Sequence, residues 1–338
     1  MNLLVWTYHR VLPEASPGAV RAEIFEQQIA NLAKSGYRFI GTSDLEVSLK
    51  VKLPHAEKCT MLTFDDGWAD NLIWATPILK KYSAKAVLAL NTGFINKNSC
   101  EIRNSENYKI INSKEALGAA AYGKDYSSFL TWNEVQEMKK SGVWEIQAHG
   151  NSHYGCYGNF DDIRGFYPDK QHWTMEFALG EPPFPGAPRT TFRSILSDRK
   201  TVLCDDLKNA LRQTNSDRKR KKLCEKHSSP LNTIETPEEF EKRVRDDLTS
   251  CRKAIKENLG QTPECLFWPW GHYSDSSVKI AKECSFKMLF TMEKDAVTEK
   301  TSTDKIPRIA APADFADFQR QLTIYANPLL RSFRMMLP

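Results

Sequence analysis

"CTMLTFDDG", residues 59 to 67, is an apolar run that ends abruptly in two carboxylates and a glycine. It reads as a buried strand entering a turn. Adjacent carboxylates repel each other, so Asp65 and Asp66 need a cation, a hydrogen-bond network or open water. Asp-Asp-Gly is also good turn chemistry, and a plain turn is the alternative reading. Two other strand-like runs stop in the same way: "EIQAHGNSH" at 145 to 153 and "LFWPWGHY" at 266 to 273.

Outward from residue 59, strands and helices alternate. Further strands are expected over 3–8, 37–41, 84–91, 143–149, 265–271 and 287–292. Phe25, Ile29, Leu32 and Ala33 share a helical face that Gly36 ends, and residues 71–82 read as a helix. Thr131 and Glu134 form a capping box for a helix that Gly142 closes. Thr236-Pro237-Glu238-Glu239 starts another helix. Its stripe is Phe240, Val244, Leu248, Cys251, Ile255 and Leu259, and Gly260 is its stop. This βαβα order predicts an α/β fold with a parallel sheet, open or closed into a barrel. Residues 1–325 are expected to form one domain, with an insertion at about 154–235, where the rhythm breaks, and a C-terminal tail over 326–338.

The chain has 338 residues, 41% hydrophobic and 26% charged, with a formal net charge of +5. That is enough chain for a substantial core. The charge is too weak to argue for nucleic acid and is compatible with an anionic glycan or phosphate-bearing surface. None of the eight cysteines forms a C-x-x-C pair, so no zinc-ribbon or redox motif is present. The first residues carry no basic region and no small-residue cleavage site, which leads us to expect a cytoplasmic protein with reduced thiols. No run approaches the roughly 20 apolar residues of a transmembrane helix.

In a parallel α/β fold the C-terminal strand ends share one face. Asp65, Asp66, His149, His153 and the Trp268-Pro269-Trp270-Gly271 turn are therefore expected to converge. His149 and His153 have the spacing of two ligands to one ion, with Gly150, Asn151 and Ser152 favouring a loop; unrelated histidines are the alternative. Two histidines and an aspartate leave positions on zinc open, the pattern of a hydrolytic site. Pro269 fixes a turn in which the Trp270 N–H is a candidate oxyanion donor. A packed aromatic corner is the alternative there, above all for Phe267 and Trp268.

Together, "TFDDG", "HGNSH" and "WPWG" in this order resemble the polysaccharide deacetylases of carbohydrate esterase family 4, the NodB-homology family. The resemblance covers about residues 1–155 and 236–315 and implies a deformed (β/α) barrel of about seven parallel strands. It also implies a divalent metal, usually zinc, with cobalt, nickel or manganese as substitutes, and removal of acetate from an N-acetylhexosamine. Asp65 matches the family's catalytic base, Asp66, His149 and His153 its metal ligands, and the Trp270 amide its oxyanion donor. Two features depart from the family pattern. Phe267 stands where many members have an arginine that braces the base. No histidine follows His272 to serve as the family's catalytic histidine.

"WTYHRVLP", residues 6 to 13, addresses the second departure. One branch, which includes poly-N-acetylglucosamine deacetylases, looks circularly permuted, with its last strand and a Tyr-His pair placed first. That branch also has a tryptophan before the proline, as Trp268 is here. His9 therefore matches the general acid, against a structural cap as the alternative. Tyr8, Trp268 and Pro269 are assigned to substrate binding with it. Arg308, in "KIPRI", is the candidate to replace the missing arginine, with a surface salt bridge as its alternative.

Within the insertion, "DKQHWTMEFALGEPPFPGAP" (169 to 188) resembles a segment of deacetylases encoded with lipopolysaccharide and surface-glycan genes. Trp173, Phe177 and Phe184 are candidates to stack on sugar rings, or to fill a core. Arg189, Arg193 and Arg199 are candidates for an anionic group. "RKRKK" (218 to 222) reads as a solvated face. It and "LLRSFRMM" (329 to 336) are the candidates for peripheral contact with an anionic inner-membrane surface. The expected partner is a glycan containing N-acetylhexosamine, lipid-linked or part of a lipopolysaccharide core, with no nucleic acid. A non-catalytic glycan-binding module, an O-acetyl esterase and a small-molecule metal amidase stay open as alternatives.

Overall fold

The computed structural model describes residues 2–51, 58–121, 123–158, 160, 163–167 and 184–335. Trp173 and Phe177 lie outside the described residues.

Eight parallel strands form one sheet. In chain order they are β1 (Leu4–Tyr8), β2 (Arg38–Phe39), β3 (Cys59–Asp66), β4 (Ala86–Leu90), β5 (Trp144–Ala148), β6 (Cys265–Phe267), β7 (Met288–Phe290) and β8 (Ile309–Ala310). Seven follow the path β7-β6-β5-β4-β3-β1-β8, and the two-residue β2 pairs only with the start of β3. Phe290 at the end of β7 bridges in parallel to Ile306, just before β8, so the two edges of the curled sheet meet. This is the parallel sheet expected from the βαβα pattern, curled into the deformed barrel that the family resemblance implies. The permuted order is visible too: β1, first in the chain, lies between β3 and β8.

The alternation of strand side chains divides the core in two. Val5, Met61, Val87, Ala89, Cys265, Phe267, Met288 and Phe290 fill the barrel. Leu4, Trp6, Tyr8, Leu62, Phe64, Ile146, Leu266 and Trp268 point the other way, into a layer of helices. Both expected capping boxes form, at Thr131–Glu134 and Thr236–Glu239, and start the helices Trp132–Lys140 and Pro237–Leu259. Gly260 ends the longer one at φ 68°, a left-handed position where glycine carries no Cβ penalty.

The insertion is more ordered than its sequence suggests. It contains an antiparallel pair (Gly155–Tyr157 with Phe192–Ser194), a second pair (Thr201–Leu203 with Leu231–Thr233), and the helices Asp205–Arg212 and Asp217–Lys226. Tyr157, Phe166, Tyr167, Leu203, Leu207, Leu211 and Cys224 give it a small core of its own. Phe184, a candidate for sugar stacking, packs against that core under the Arg212 guanidinium. The segment expected as a tail is helical over Pro328–Met335, and Arg331 ties it to Asn2 and Asp295. Among the described residues, no helix is long and apolar enough to cross a membrane.

Candidate metal centre and active site

The sheet is parallel, so β1, β3, β5 and β6 deliver His9, Asp65–Asp66, His149 and the 268–271 turn to one face. Asp66 Oδ1 lies 3.4 Å from Nε2 of both His149 and His153, and the three side chains are buried. Two ligands about 2.0–2.2 Å from a tetrahedral zinc stand about 3.4 Å apart, so this spacing suits one ion. Other features of the cluster agree. Asp66 Oδ1 is buried with no hydrogen-bond partner. His149 Nδ1 lies 2.9 Å from the Phe267 carbonyl oxygen. Because that oxygen can only accept, the ring proton sits on Nδ1 and the Nε2 lone pair faces the cluster. Burial lowers the His153 pKa to about 4, which keeps its imidazole neutral and able to coordinate. The cluster therefore fits a divalent ion.

The two adjacent carboxylates have separate environments. Asp65 continues the inward register of Met61 and Thr63 and meets Arg308 in a two-pronged pair: Nη1 to Oδ1 at 2.7 Å and Nη2 to Oδ2 at 2.9 Å. Arg308 is 0% exposed. Its Nε donates to the Thr291 carbonyl, and its guanidinium lies over the Phe267 ring at 5.0 Å. It is thus a buried partner of Asp65 and not a surface salt bridge. Burial alone would raise the Asp65 carboxyl, but Arg308 and His149 outweigh it and hold it below its ordinary value. Asp66 adopts φ 76°, a left-handed conformation rare for a residue with a side chain, and Gly67 follows at φ 92°. The chain therefore turns out of the strand at Asp66, its last residue. Burial opposes ionisation of Asp66 as well, yet His153 and His149 pull its carboxyl well below the usual range.

Trp270 is the other non-glycine residue of this face in the left-handed region, at φ 63°, with Gly271 at φ 71°. Strain of this kind costs on the order of 1–3 kcal/mol and clusters at functional sites. The Trp270 ring lies 4.4 Å from that of His153. Pro269 is buried at the start of the turn. His9 is exposed and lines a cavity of about 430 Å³ together with Asp66, Trp68, Pro17, Ser113 and Leu117.

The structure does not bring every expected residue to this face. Tyr8, expected at the substrate, is 1% exposed, and its hydroxyl donates to Gln28 among Phe25 and Phe64. Trp268 is 0% exposed in the same layer. Both fall on the outward register of their strands, so period-two alternation turns them away from the barrel mouth. They are corrected to core residues. Arg189 stays within the insertion, over the Tyr167 ring at 6.0 Å, away from the cluster.

The sequence reading missed several supports. Trp68 Nε1 donates to Asp66 Oδ2 at 3.0 Å. Arg10 stacks on the Trp68 ring at 4.4 Å and forms a fully buried ion pair with Asp70 at 2.7 Å. Asp70 Oδ1 also accepts from Val11 N, and Asn71 Nδ2 donates to the His9 carbonyl. These contacts fasten the His9 segment to the one carrying Asp66. Asp247 Oδ1 accepts from Asn151 N at 2.8 Å and so holds the loop between the two histidines; burial pushes its carboxyl up to about 6. A signal for Asp247 was present, since it is the one acid on the apolar stripe between Val244 and Cys251. Gly93 passes so close to this loop that a Cβ there would lie 2.0 Å from the Asn151 carbonyl oxygen.

The sequence profile of the polysaccharide deacetylase family matches residues 52–177 and 224–289, more than half of the chain. The chain belongs to the polysaccharide deacetylase family. The chain is 21% identical over 323 residues to a poly-β-1,6-N-acetyl-D-glucosamine N-deacetylase of Escherichia coli O157:H7, covering 94% of this chain and 38% of the relative. It therefore spans well under half the length of that relative. Among solved structures, a de-N-acetylase from Aggregatibacter actinomycetemcomitans superposes with a TM-score of 0.64 at 19% identity, covering 95% of this chain and 100% of the other. IcaB from Ammonifex degensii superposes with a TM-score of 0.59 at 18% identity, covering 96% and 97%. These likenesses establish the shared barrel fold.

Proposed function

We propose that this deacetylase is a metal-dependent N-deacetylase that removes acetate from an N-acetylglucosamine-type residue of a bacterial surface glycan or a lipopolysaccharide-core intermediate. The observation that carries the reading is the Asp66–His149–His153 cluster beside an Asp65 clamped by Arg308.

Asp66, His149 and His153 would hold the ion, zinc in our reading. When bound, a divalent ion supplies Lewis-acid polarisation of the acetamide carbonyl and a lower pKa for water. The chain's own residues do the rest. Asp65, ionised next to Arg308, takes the proton of the attacking water. Arg308 fixes both carboxylate oxygens and so limits the directions from which that proton arrives. The strained Pro269-Trp270-Gly271 turn offers the Trp270 N–H to the developing oxyanion. His9, at the open side of the cavity, protonates the departing amine, which leaves far better as an amine than as an amide anion. The products are acetate and a free glucosamine-type amine.

The E. coli relative named for poly-β-1,6-N-acetyl-D-glucosamine supports a glucosamine polymer as the substrate class. All eight cysteines are free thiols. A reducing compartment suits such thiols. We accordingly propose action at the cytoplasmic face of the inner membrane, on an intermediate not yet exported.

The test is acetate release by zinc-loaded protein from a panel of N-acetylglucosamine glycans, including lipopolysaccharide-core material, with His153→Ala as control. Release by the wild type only is the expected result. The variant should lose zinc, measured by elemental analysis, together with activity. No release and no zinc in the wild type would contradict the reading.

A further inference from the structure

We infer that a second pocket, walled jointly by the insertion and the turn after Trp270, is a subsite for the neutral sugar next to the one that loses acetate. This deepens the deacetylase reading and rests on it. The pocket holds about 600 Å³ and is lined by Phe192, Arg193 and Ser197 of the insertion and by Gly271, His272 and Tyr273. A relay of rings joins it to the metal cluster. His153 lies 4.4 Å from Trp270, Trp270 is 5.0 Å from Phe192, and Phe192 is 5.7 Å from His272. The cavity beside His9 meets the same cluster at Asp66, while the second pocket meets it through Trp270 and His153. A glycan laid across the metal ligands therefore has room on both sides of the reacting residue.

The wall is fixed in place. Gly155 pairs with Ser194, and a Cβ at Gly155 would lie 2.8 Å from the Phe192 ring, so the ring rests directly on that glycine. The Ser194 N–H donates to His272 Nδ1 at 3.2 Å. The imidazole proton is thereby on Nε2, which becomes a hydrogen-bond donor at the pocket wall. An aromatic face beside a set polar donor is the chemistry that binds a sugar ring and one of its hydroxyls. Charges of both signs stand nearby: Arg193 pairs with Asp198, the Tyr273 hydroxyl donates to the Glu293 carboxylate, and Lys305 lies over the Tyr273 ring. That balance favours an uncharged sugar over a phosphorylated one.

The experiment measures kcat/KM for acetate release from β-1,6-linked N-acetylglucosamine oligomers of one to five residues. It uses zinc-loaded wild type, Phe192→Ala, Phe192→Tyr and His272→Ala. The wild type should prefer the pentamer to the monomer. Phe192→Ala and His272→Ala should each shrink that preference by about fivefold to tenfold, through KM, as expected for losing one ring contact or one hydrogen bond. Phe192→Tyr should restore it. Equal rates on all lengths by the wild type would overturn the subsite, as would variants that lower monomer and pentamer alike. Calorimetric binding of the pentamer to the wild type and Phe192→Ala reads the subsite without turnover. Weaker binding by the variant supports it, and equal binding overturns it. Pentamer binding without acetate release at any length would instead contradict the deacetylase reading and leave the subsite standing.

Discussion

The barrel mouth and the insertion build the same cleft by different means. At the barrel mouth the functional groups sit at the ends of parallel strands or in the loops that follow them, with Arg308 just before β8, and burial and ion pairs hold them there. Asp65 meets Arg308, Asp66 meets two histidines and Trp68, and His9 is tied down through Arg10 and Asp70. The insertion has its own small core and contributes no metal ligand among the described residues. It reaches the cleft through one short antiparallel pair that presents Phe192 beside Trp270. On the proposals above, the barrel carries the chemistry and the insertion selects what is presented to it.

Variants at the barrel mouth should therefore depress every substrate length alike, in contrast to Phe192→Ala. Below loss of the metal or of the base Asp65, the largest such effect belongs to His9→Ala. It should lower kcat by about two to four orders of magnitude, as for loss of a general acid, while zinc content stays stoichiometric. Normal turnover by that variant would remove His9 from the mechanism.

Arg308→Met comes next. It leaves Asp65 buried without its partner, a change that costs about 3–5 kcal/mol in comparable buried pairs, read as a lower denaturant midpoint. It also predicts a pH effect of definite sign. The native Asp65 carboxyl lies below its ordinary value, so its contribution to stability is present above about pH 4 and is lost as pH falls. Without Arg308, burial raises that carboxyl, and the acid limb of the kcat/KM profile moves to higher pH. An unmoved limb would mean that another group serves as the base.

Trp68→Phe should have the smallest effect. It removes one hydrogen bond to Asp66 and keeps the ring under Arg10, so zinc affinity should fall by about 10- to 100-fold, as for other supporting partners of a metal ligand. Competition with a chromophoric chelator measures it.

The same contrast explains what the sequence reveals. Barrel strands are apolar runs with abrupt polar ends, and the helices announce themselves with caps and glycine stops, so the frame and the convergence of Asp65, Asp66, His149 and His153 are legible; the choice of Asp66 as the third ligand rests on the family resemblance. Tyr8 and Trp268 are misread because a motif places a residue along the chain and not on a face of the strand; a one-position offset buries both. Arg308 lies 243 residues from Asp65, and no local pattern reports so distant a pairing. In the insertion the two helices are short and highly charged. Their apolar anchors, Leu207, Leu211 and Cys224, are too few to stand out as a stripe.

The central claim is that two neighbouring carboxylates on one strand end do different work. Zinc content and acetate release, measured side by side for Asp65→Asn and Asp66→Asn, test it most directly. The account predicts that Asp65→Asn keeps zinc and loses turnover, and that Asp66→Asn loses both. Zinc lost from Asp65→Asn and retained by Asp66→Asn would contradict it.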